Sequence, residues 1–455
     1  MFHPDKYHIH FVGIGGIGMS AIAEILMASG YRISGSDIRP TPLTNHLSNS
    51  GAMIYYGHEA YHVNGADVLV YSSAIQPDNC EIKTAKQNNI PVIHRSQMLA
   101  EIVHRKFCIA VTGSHGKTTT TAIIGEILSQ AGLNPGIILG GILNKQATNA
   151  TPGKGNFIVV EADESDGSLL NIQPSIAVIT NVDQEHMDHY GSMEKVHQAF
   201  LAFANKPPFY GATIICADDP VLRSFIPEIN GKTITYGIKH SADFMAQNIK
   251  QIGHFTMSFD LVFRNKLIDN LYLNLAGNHN ILNALASIAA SYLFDIPWTA
   301  HKKGLSTIEG VQRRMDIRGQ RDQVLVMDDY GHHPTEIVAT LKAVKAGWPD
   351  RHLCVLFQPH RYTRTKDLFD KFTQSFDMAD QIIILPVYSA GEAPIDNVDS
   401  QHLCQAMKNF VPNKVSYTET FEQAISQLKT NQKTLLLTLG AGDIRKAGDI
   451  FLKNK

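Results

Sequence analysis

Cysteine is scarce and unpaired in this chain. Cys80, Cys108, Cys216, Cys354 and Cys404 are five in number, widely spaced and without a C-x-x-C. That excludes a disulfide scaffold and a C-x-x-C module, and reads as buried thiols of a reducing compartment. No H-E-x-x-H zinc spacing occurs, and no Ser-His-Asp arrangement is suggested. No block of like charge exceeds a few residues, and the formal net charge is −2, which excludes a general nucleic-acid surface. Long uncharged apolar runs are absent too. The stretch from Ile14 to Ala28 is broken by glycines and by Glu24, so membrane insertion is not expected. No basic stretch followed by an apolar core precedes the first strand at Tyr7, and the expected location is the cytoplasm. The 21 histidines are scattered and read mostly as surface or capping residues.

What is present is an ordinary globular balance, 44% apolar and 18% charged, over 455 residues, enough for about three domains with cores of their own. Strand and helix alternate through the first hundred residues: Ile9–Val12, a helix over Ile17–Ser29, Ile33–Ser36, Val68–Ser72 and Pro91–Ile93, with helical stretches near Glu81–Gln87 and Gln97–His104. Such alternation predicts a parallel sheet covered by helices. The pattern restarts at Arg105-Lys106. Phe157–Ala162 and Ile176–Val182 read as buried strands. Between Lys232 and Leu275, short β-type runs (Ile234–Tyr236, Phe255–Phe259, Leu271–Leu273) predict an antiparallel patch, followed by a helix from His279 to Leu293. A third restart near Gly310–Arg314 carries Val324–Met327, Leu353–Phe357, Ile382–Leu385 and Leu435–Leu439. The expected class is α/β with three domains, 1–105, 106–311 and 312–455.

The central unit holds the most informative run. Phe107–Val111 reads as a buried strand that feeds Gly113-Ser114-His115-Gly116-Lys117-Thr118, and Thr119 through Leu128 has helical character. Strand, glycine-rich turn, Gly-Lys-Thr and helix make a phosphate cradle. Backbone N–H groups and the helix N-terminus face the phosphates, Lys117 reaches the terminal ones, and Thr118 offers a hydroxyl to Mg²⁺. The spacing is two residues shorter than the standard G-x-x-x-x-G-K-[ST].

Carboxylates follow at successive strand ends: Glu161-Ala-Asp-Glu-Ser-Asp166, Asn181-Val-Asp183, then His186-Met-Asp188. Acids there suit Mg²⁺, which prefers hard oxygen ligands, although loop acids also serve as caps. Asn280 and Asn283 share one helix face, and an N-cap role also fits such asparagines.

In the first unit, Gly13-Ile-Gly15-Gly16-Ile-Gly18 joins strand to helix, and Asp37 stands nineteen residues beyond Gly18. This G-x-G-x-x-G fits a pyrophosphate on a helix N-terminus; tight helix–strand packing without ligand fits it as well. In the third unit, Asp328-Asp329-Tyr330-Gly331-His332-His333-Pro334 and Gln358-Pro-His-Arg361-Tyr-Thr-Arg364 end consecutive strands. Arg361 and Arg364 suit an anionic substrate.

Taken together, these motifs with Arg313-Arg314 resemble the Mur ligases of bacterial peptidoglycan synthesis over essentially the whole chain, and the short G-x-x-G-K-T is that family's form. The resemblance implies ATP-driven amide formation in cell-wall precursor synthesis, and through it cell shape and division. The muramoyl carboxylate of UDP-N-acetylmuramate takes the γ-phosphoryl group of ATP, and the acyl phosphate is attacked by the amine of L-alanine. It further implies a Rossmann-like UDP-binding first domain, a P-loop ATPase domain and a Rossmann-like C-terminal domain.

By the same resemblance, Lys117, His186 and Arg314 are catalytic, and Thr118, Glu161 and His186 hold Mg²⁺. Gly113, Ser114, His115, Gly116, Lys117, Thr118, Thr119, Asn280, Asn283, Arg314 and Asp329 bind ATP. Gly13, Gly15, Gly16, Gly18, Asp37, Ser72, Arg361 and Arg364 bind the UDP-sugar, and Tyr330 and His332 the amino acid. A monomer or weak homodimer is expected, with no nucleic-acid partner. Several family members carry a carbamylated lysine after the His-Met-Asp histidine, whereas this chain has Ala199-Phe-Leu-Ala-Phe203 there. The alternatives are a family member that attaches a tripeptide to the same sugar nucleotide and, from Gly13–Gly18 alone, an NAD-dependent oxidoreductase.

Overall fold

The computed structural model describes residues 7–142, 149–165 and 167–453; Asp166 of the acidic run lies outside them. The fold is α/β with three sheets among the described residues. By contact density the chain forms two compact units. One comprises 1–247, 260–272 and 282–309, the other 248–259, 273–281 and 310–455. Among the described residues no helix is long and apolar enough to cross a membrane.

The first sheet is parallel, in the order Met53–Tyr56, Arg32–Asp37, His8–Val12, Val68–Tyr71, Val92–His94. The chain winds outward in one direction from His8–Val12 and then returns to its other side, so a crevice opens at that reversal, outside the carboxyl ends of His8–Val12 and Val68–Tyr71. Local chemistry starts the helices. Thr41 and Thr44 form a capping box ahead of Pro42–Asn49, Asn79 caps Cys80–Gln87, and His94 with Gln97 caps Arg95–Val103.

The second sheet has ten strands: Lys266–Leu273, Met257–Phe263, Phe244–Gln251, Thr233–Gly237, Ala212–Cys216, Ile176–Ile179, Phe107–Thr112, Phe157–Glu161, Gly136–Ile138 and Ala150–Thr151. Phe107–Thr112 runs parallel between Phe157–Glu161 and Ile176–Ile179, pairing Val111 with Glu161 and Thr112 with Ile179. These strands are covered on both faces, and Ile109, Val111, Val159 and Val178 are fully buried. Their unbroken apolar runs are what a doubly covered parallel strand requires.

One expectation is corrected. Ile234–Tyr236, read as part of the antiparallel patch, is a parallel strand that pairs with Ala212–Cys216 and with Phe244–Gln251. The antiparallel patch is the hairpin Met257–Phe263 and Lys266–Leu273. Its two turn residues, Arg264 and Asn265, both have positive φ (47° and 65°), the twist a two-residue hairpin favours.

The third sheet is ordered Asp316–Arg321, Val324–Asp329, Thr434–Leu439, His352–Phe357, Gln381–Ile384, Val415–Tyr417, with only the first strand antiparallel. Below it Phe357, fully buried, meets Phe372 and Phe376 at centroid distances of 5.6 and 5.0 Å. Phe357→Ala should cost about 3–5 kcal/mol through lost burial and an unfilled cavity. Urea unfolding checks this; a loss below about 1 kcal/mol would mean the cluster does not anchor the sheet.

Candidate active site

The P-loop is built by one strand and fastened to its neighbour. Gly113 follows Thr112 with φ +131°, and a Cβ there would stand 2.0 Å from Thr180 Oγ1, so only glycine fits. His115 N–H donates to Asn181 Oδ1 (2.8 Å). The Thr180 hydroxyl and the Asn181 amide donate to the His115 carbonyl (2.6 and 2.9 Å), and Asp183 N–H donates to Ser114 Oγ (2.8 Å). The loop is therefore fixed before any ligand arrives. The helix spans Lys117–Gln130 from an N-cap at Gly116, two residues earlier than expected. Thr119 is buried in its first turn. Asn283 lies directly against Gly116. Asn280, three residues earlier on the same helix, donates to the Ala276 carbonyl at 2.8 Å.

Lys117 Nζ donates to Glu164 Oε1 (2.7 Å) and to the carbonyls of Gly113 (2.7 Å) and Ser114 (3.3 Å). Burial pulls its pKa down, but Glu164, Glu161 and Asp163 outweigh that and leave it raised, so the ammonium stays charged. Glu161 ends the adjacent strand, accepts the Gly140 N–H (2.8 Å) and interacts with the Thr118 hydroxyl. Burial raises its pKa against the pull of Lys117. His186, in the left-handed region at φ 56°, points Nε2 to within 3.6 Å of both Glu164 and Glu185. Glu164, Glu185 and His186 bring one ligand atom each within 4.8 Å of one another. Glu164 Oε2 is buried with no hydrogen-bond partner among the described residues, an orphaned oxygen that a cation would satisfy. These hard oxygens fit a divalent cation such as Mg²⁺.

In the first domain the structure brings the glycine turn, Asp37 and Ser72 together at the sheet's reversal point. Gly13 and Ile14 N–H groups donate to the Ser36 carbonyl (2.9 and 3.0 Å), and Gly16 N–H to the Gly13 carbonyl. Gly15 N–H donates to Asp37 Oδ2 (2.8 Å), and a Gly15 Cβ would lie only 2.7 Å from that oxygen. Ser72 stands beside Gly13, and Gly18 sits in the first turn of the helix Ile17–Ala28. Beneath the turn lies a polar core that motif reading did not find. Glu81, fully buried, accepts from Ser36 Oγ (2.8 Å) and contacts His10, His58 and His62. Those contacts overcome burial and hold its pKa near about 2.

The third domain gathers cations. Arg313 donates to Asp328 (3.0 Å) and the Gly440 carbonyl (2.6 Å), and lies 4.9 Å over the Tyr330 ring; Arg314 lies 5.5 Å from the same ring and pairs with Glu336 (3.2 Å). Glu336 also accepts the His332 N–H (3.1 Å). Arg361 adopts φ 68° and approaches Glu392 (3.8 Å), while Arg364 contacts His360 Nδ1 (3.1 Å). A non-glycine residue held at such an angle is stored strain of the kind found at ligand clamps. Asp329 is buried. It accepts from Met315 N–H, Gly331 N–H and Thr340 Oγ, and burial pushes its pKa up to about 6. In this conformation its carboxylate organises the turn that presents Tyr330 and His332.

Motif reading included Glu164 only as part of the acidic run, without pairing it to His186, and it passed over Glu185 and Glu336. Acids beside His186 and four residues after His332 were the available signal.

A glycine-rich turn with a charged lysine and adjacent carboxylates at one sheet edge, and a crevice at the reversal of another sheet, are carried on a three-domain α/β fold shared with ATP-dependent ligases. Family models for the Mur ligase family catalytic domain, the Mur ligase middle domain and the Mur ligase glutamate ligase domain match residues 8–107, 111–291 and 313–442. The chain belongs to the Mur ligase family. It is 47% identical to the UDP-N-acetylmuramate–L-alanine ligase of Desulfatibacillum aliphaticivorans over 100% of both chains. It superposes on the UDP-N-acetylmuramate–alanine ligase MurC of Thermotoga maritima with TM-score 0.83 at 28% identity, covering 98% of each chain. A murein peptide ligase of Psychrobacter arcticus shares the fold, with TM-score 0.71 at 24% identity over 98% of each chain.

Burial first, then Arg364, His332, Arg361 and Arg313, push the His360 imidazole down to about 3. The unfolded chain takes that proton near 6.5, so the stability contributed by neutral His360 is full above pH 6.5 and is lost as pH falls toward 3. His360→Gln should flatten the fall in Tm between pH 7 and 4.5; an unchanged fall would remove His360 from the acid response.

Proposed function

We infer that this chain joins L-alanine to the carboxylate of UDP-N-acetylmuramate, driven by ATP, giving UDP-N-acetylmuramoyl-L-alanine, ADP and phosphate in peptidoglycan precursor synthesis in the cytoplasm. The observation that carries the chemistry is the charged Lys117 held among Glu161, Asp163 and Glu164 at the P-loop. The substrate pair rests on full-length likeness to L-alanine ligases. Residues 1–105 bind the sugar nucleotide, 106–311 bind ATP, and 312–455 bind the amino acid.

A carboxylate oxygen of the muramoyl group attacks the γ-phosphorus and ADP leaves. The amine of L-alanine then attacks the acyl carbon, and phosphate departs carrying the original carboxylate oxygen. Lys117 and the loop N–H groups neutralise charge on the phosphoryl group, where positioning and electrostatics dominate catalysis. Thr118 and Glu161 would hold one Mg²⁺. His186 with Glu164 and Glu185 would hold a second. The chemistry magnesium would supply there is positive charge at the transferring phosphate. Gly13, Gly15, Gly16 and Gly18 bear on the UDP diphosphate beside Asp37 and Ser72. Asn280, Asn283, Arg314 and Asp329 serve the ATP, Arg361 and Arg364 the anionic sugar nucleotide, and Tyr330 and His332 the amino acid.

Phosphate release from ATP with Mg²⁺ and UDP-N-acetylmuramate should require L-alanine, and the tripeptide should not replace it. Release with the tripeptide alone would move the reaction to peptide recycling. Lys117→Ala should lower turnover about 10²-fold or more while leaving UDP-sugar binding intact; wild-type turnover would remove the lysine from the site.

A further inference from the structure

Arg95 stands at the junction of the two candidate nucleotide sites, and neither motif includes it. It follows the strand Val92–His94 and opens the helix Arg95–Val103, at the carboxyl edge that also carries the glycine turn and Ser72. Its guanidinium reaches three places. NH1 lies 3.4 Å from where a Cβ on Gly18 would be, in the first turn of the glycine-loop helix. Nε points to Ser73 Oγ at 3.5 Å, next to Ser72. NH2 donates to Asp163 Oδ2 at 3.0 Å, a partly covered ion pair.

Asp163 belongs to the acidic segment beside the P-loop, two residues after Glu161 and next to Glu164. Its position is fixed locally: Oδ1 accepts the Ser165 N–H (3.0 Å), and its carbonyl accepts the Leu169 N–H (3.0 Å) and the Ser168 hydroxyl (3.3 Å). A second tie joins the same helical turn to the edge of the second sheet. Asn149, fully buried, donates its amide to the Ile17 carbonyl and to Ser20 Oγ (3.1 Å), again in the first turn after the glycine loop. Asn171 adds a third, donating to Ser96 Oγ at 2.9 Å. All these residues lie in one compact unit.

We propose that Arg95 is a positioning residue that couples sugar-nucleotide binding to ATP binding, its guanidinium shared between the diphosphate crevice and Asp163. This rests on the reading of Gly13–Gly18 as the UDP-diphosphate turn. A planar guanidinium serves two anionic partners at once through its several N–H donors, which an ammonium cannot do in fixed geometry. A diphosphate on the glycine turn draws Arg95 from one side while Asp163 holds it from the other. Ordering either partner therefore orders the acidic segment that flanks Lys117. Each nucleotide then binds more tightly when the other is present, by the same factor in both directions.

The test is calorimetric binding of UDP-N-acetylmuramate with and without saturating AMP-PNP and Mg²⁺, on wild type, Arg95→Lys, Arg95→Ala and Asp163→Asn, with thermal melts as a folding control. Wild type should show mutual tightening of about 5-fold or more. Asp163→Asn should reduce that factor to about 1 while UDP-N-acetylmuramate alone, whose site Asp163 does not line, still binds within about 2-fold of wild type. Arg95→Ala should lose the coupling and also about 10-fold in UDP-sugar affinity, the size of one charge-assisted contact, with ATP affinity unchanged; Arg95→Lys should recover affinity but not coupling. In turnover assays the KM for the sugar nucleotide should rise more than kcat falls. An undiminished factor in Asp163→Asn, or a wild-type factor of 1, overturns the proposal. So does a parallel loss of Tm and both affinities, which would mark the pair as purely structural. Wild type that fails to bind the UDP-sugar at all would instead overturn the reading of the glycine turn, and this proposal with it.

Discussion

The Lys117 ammonium, held in a buried pocket of oxygens, is the interaction on which the central site depends. Three carboxylates, Glu161, Asp163 and Glu164, surround it, and two loop carbonyls complete its shell. Removing such a charge from water is costly unless it is paired and hydrogen-bonded, so the lysine and the acids specify each other. The sheet makes this possible. Three adjacent parallel strands end together at Thr112, Glu161 and Ile179, and the turn that follows each one delivers a different group to a single edge.

The first domain repeats the principle on a smaller scale. There the reversal of strand order opens a crevice, and a glycine turn is tied to it by Ser36, whose own hydroxyl is held by buried Glu81. Both sites place a glycine turn at a helix N-terminus, one fixed by Ser36 above buried Glu81 and the other by Thr180, Asn181 and Asp183. Arg95 ties the first turn of the glycine-loop helix to Asp163, and Asn149 ties the same turn to the edge of the second sheet. In the third domain, charge is held differently. Arg313 and Arg314 flank the Tyr330 ring, and carboxylates of Asp328 and Glu336 keep the guanidinium groups in place.

Much of this was legible in the sequence, because phosphate cradles need glycine at positions of positive φ or close approach, and Gly113 and Gly15 are such positions. The apolar runs Phe107–Val111 and Ile176–Ile179 read as strands because both faces are covered. The helix Met193–Ala204 and the strand Ala212–Cys216 lie between motifs and were not among the expected elements. Ile234–Tyr236 was assigned the wrong direction because residue type encodes a strand but not its partner; the return through the helix Pro220–Phe225 makes it parallel. The Glu164–Glu185–His186 cluster and the Arg95–Asp163 pair join residues far apart in sequence, 68 positions in the second case. Spacing alone cannot reveal such contacts.

The central claim is that the acid-lined P-loop transfers a phosphoryl group to the sugar-nucleotide carboxylate before the amide forms. UDP-N-acetylmuramate labelled with ¹⁸O in its muramoyl carboxylate tests it, by mass analysis of the phosphate released on ligation to L-alanine. One labelled oxygen per phosphate is the expected result, since the acyl phosphate must hand that oxygen over. Phosphate free of label, with amide formed normally, would contradict the account.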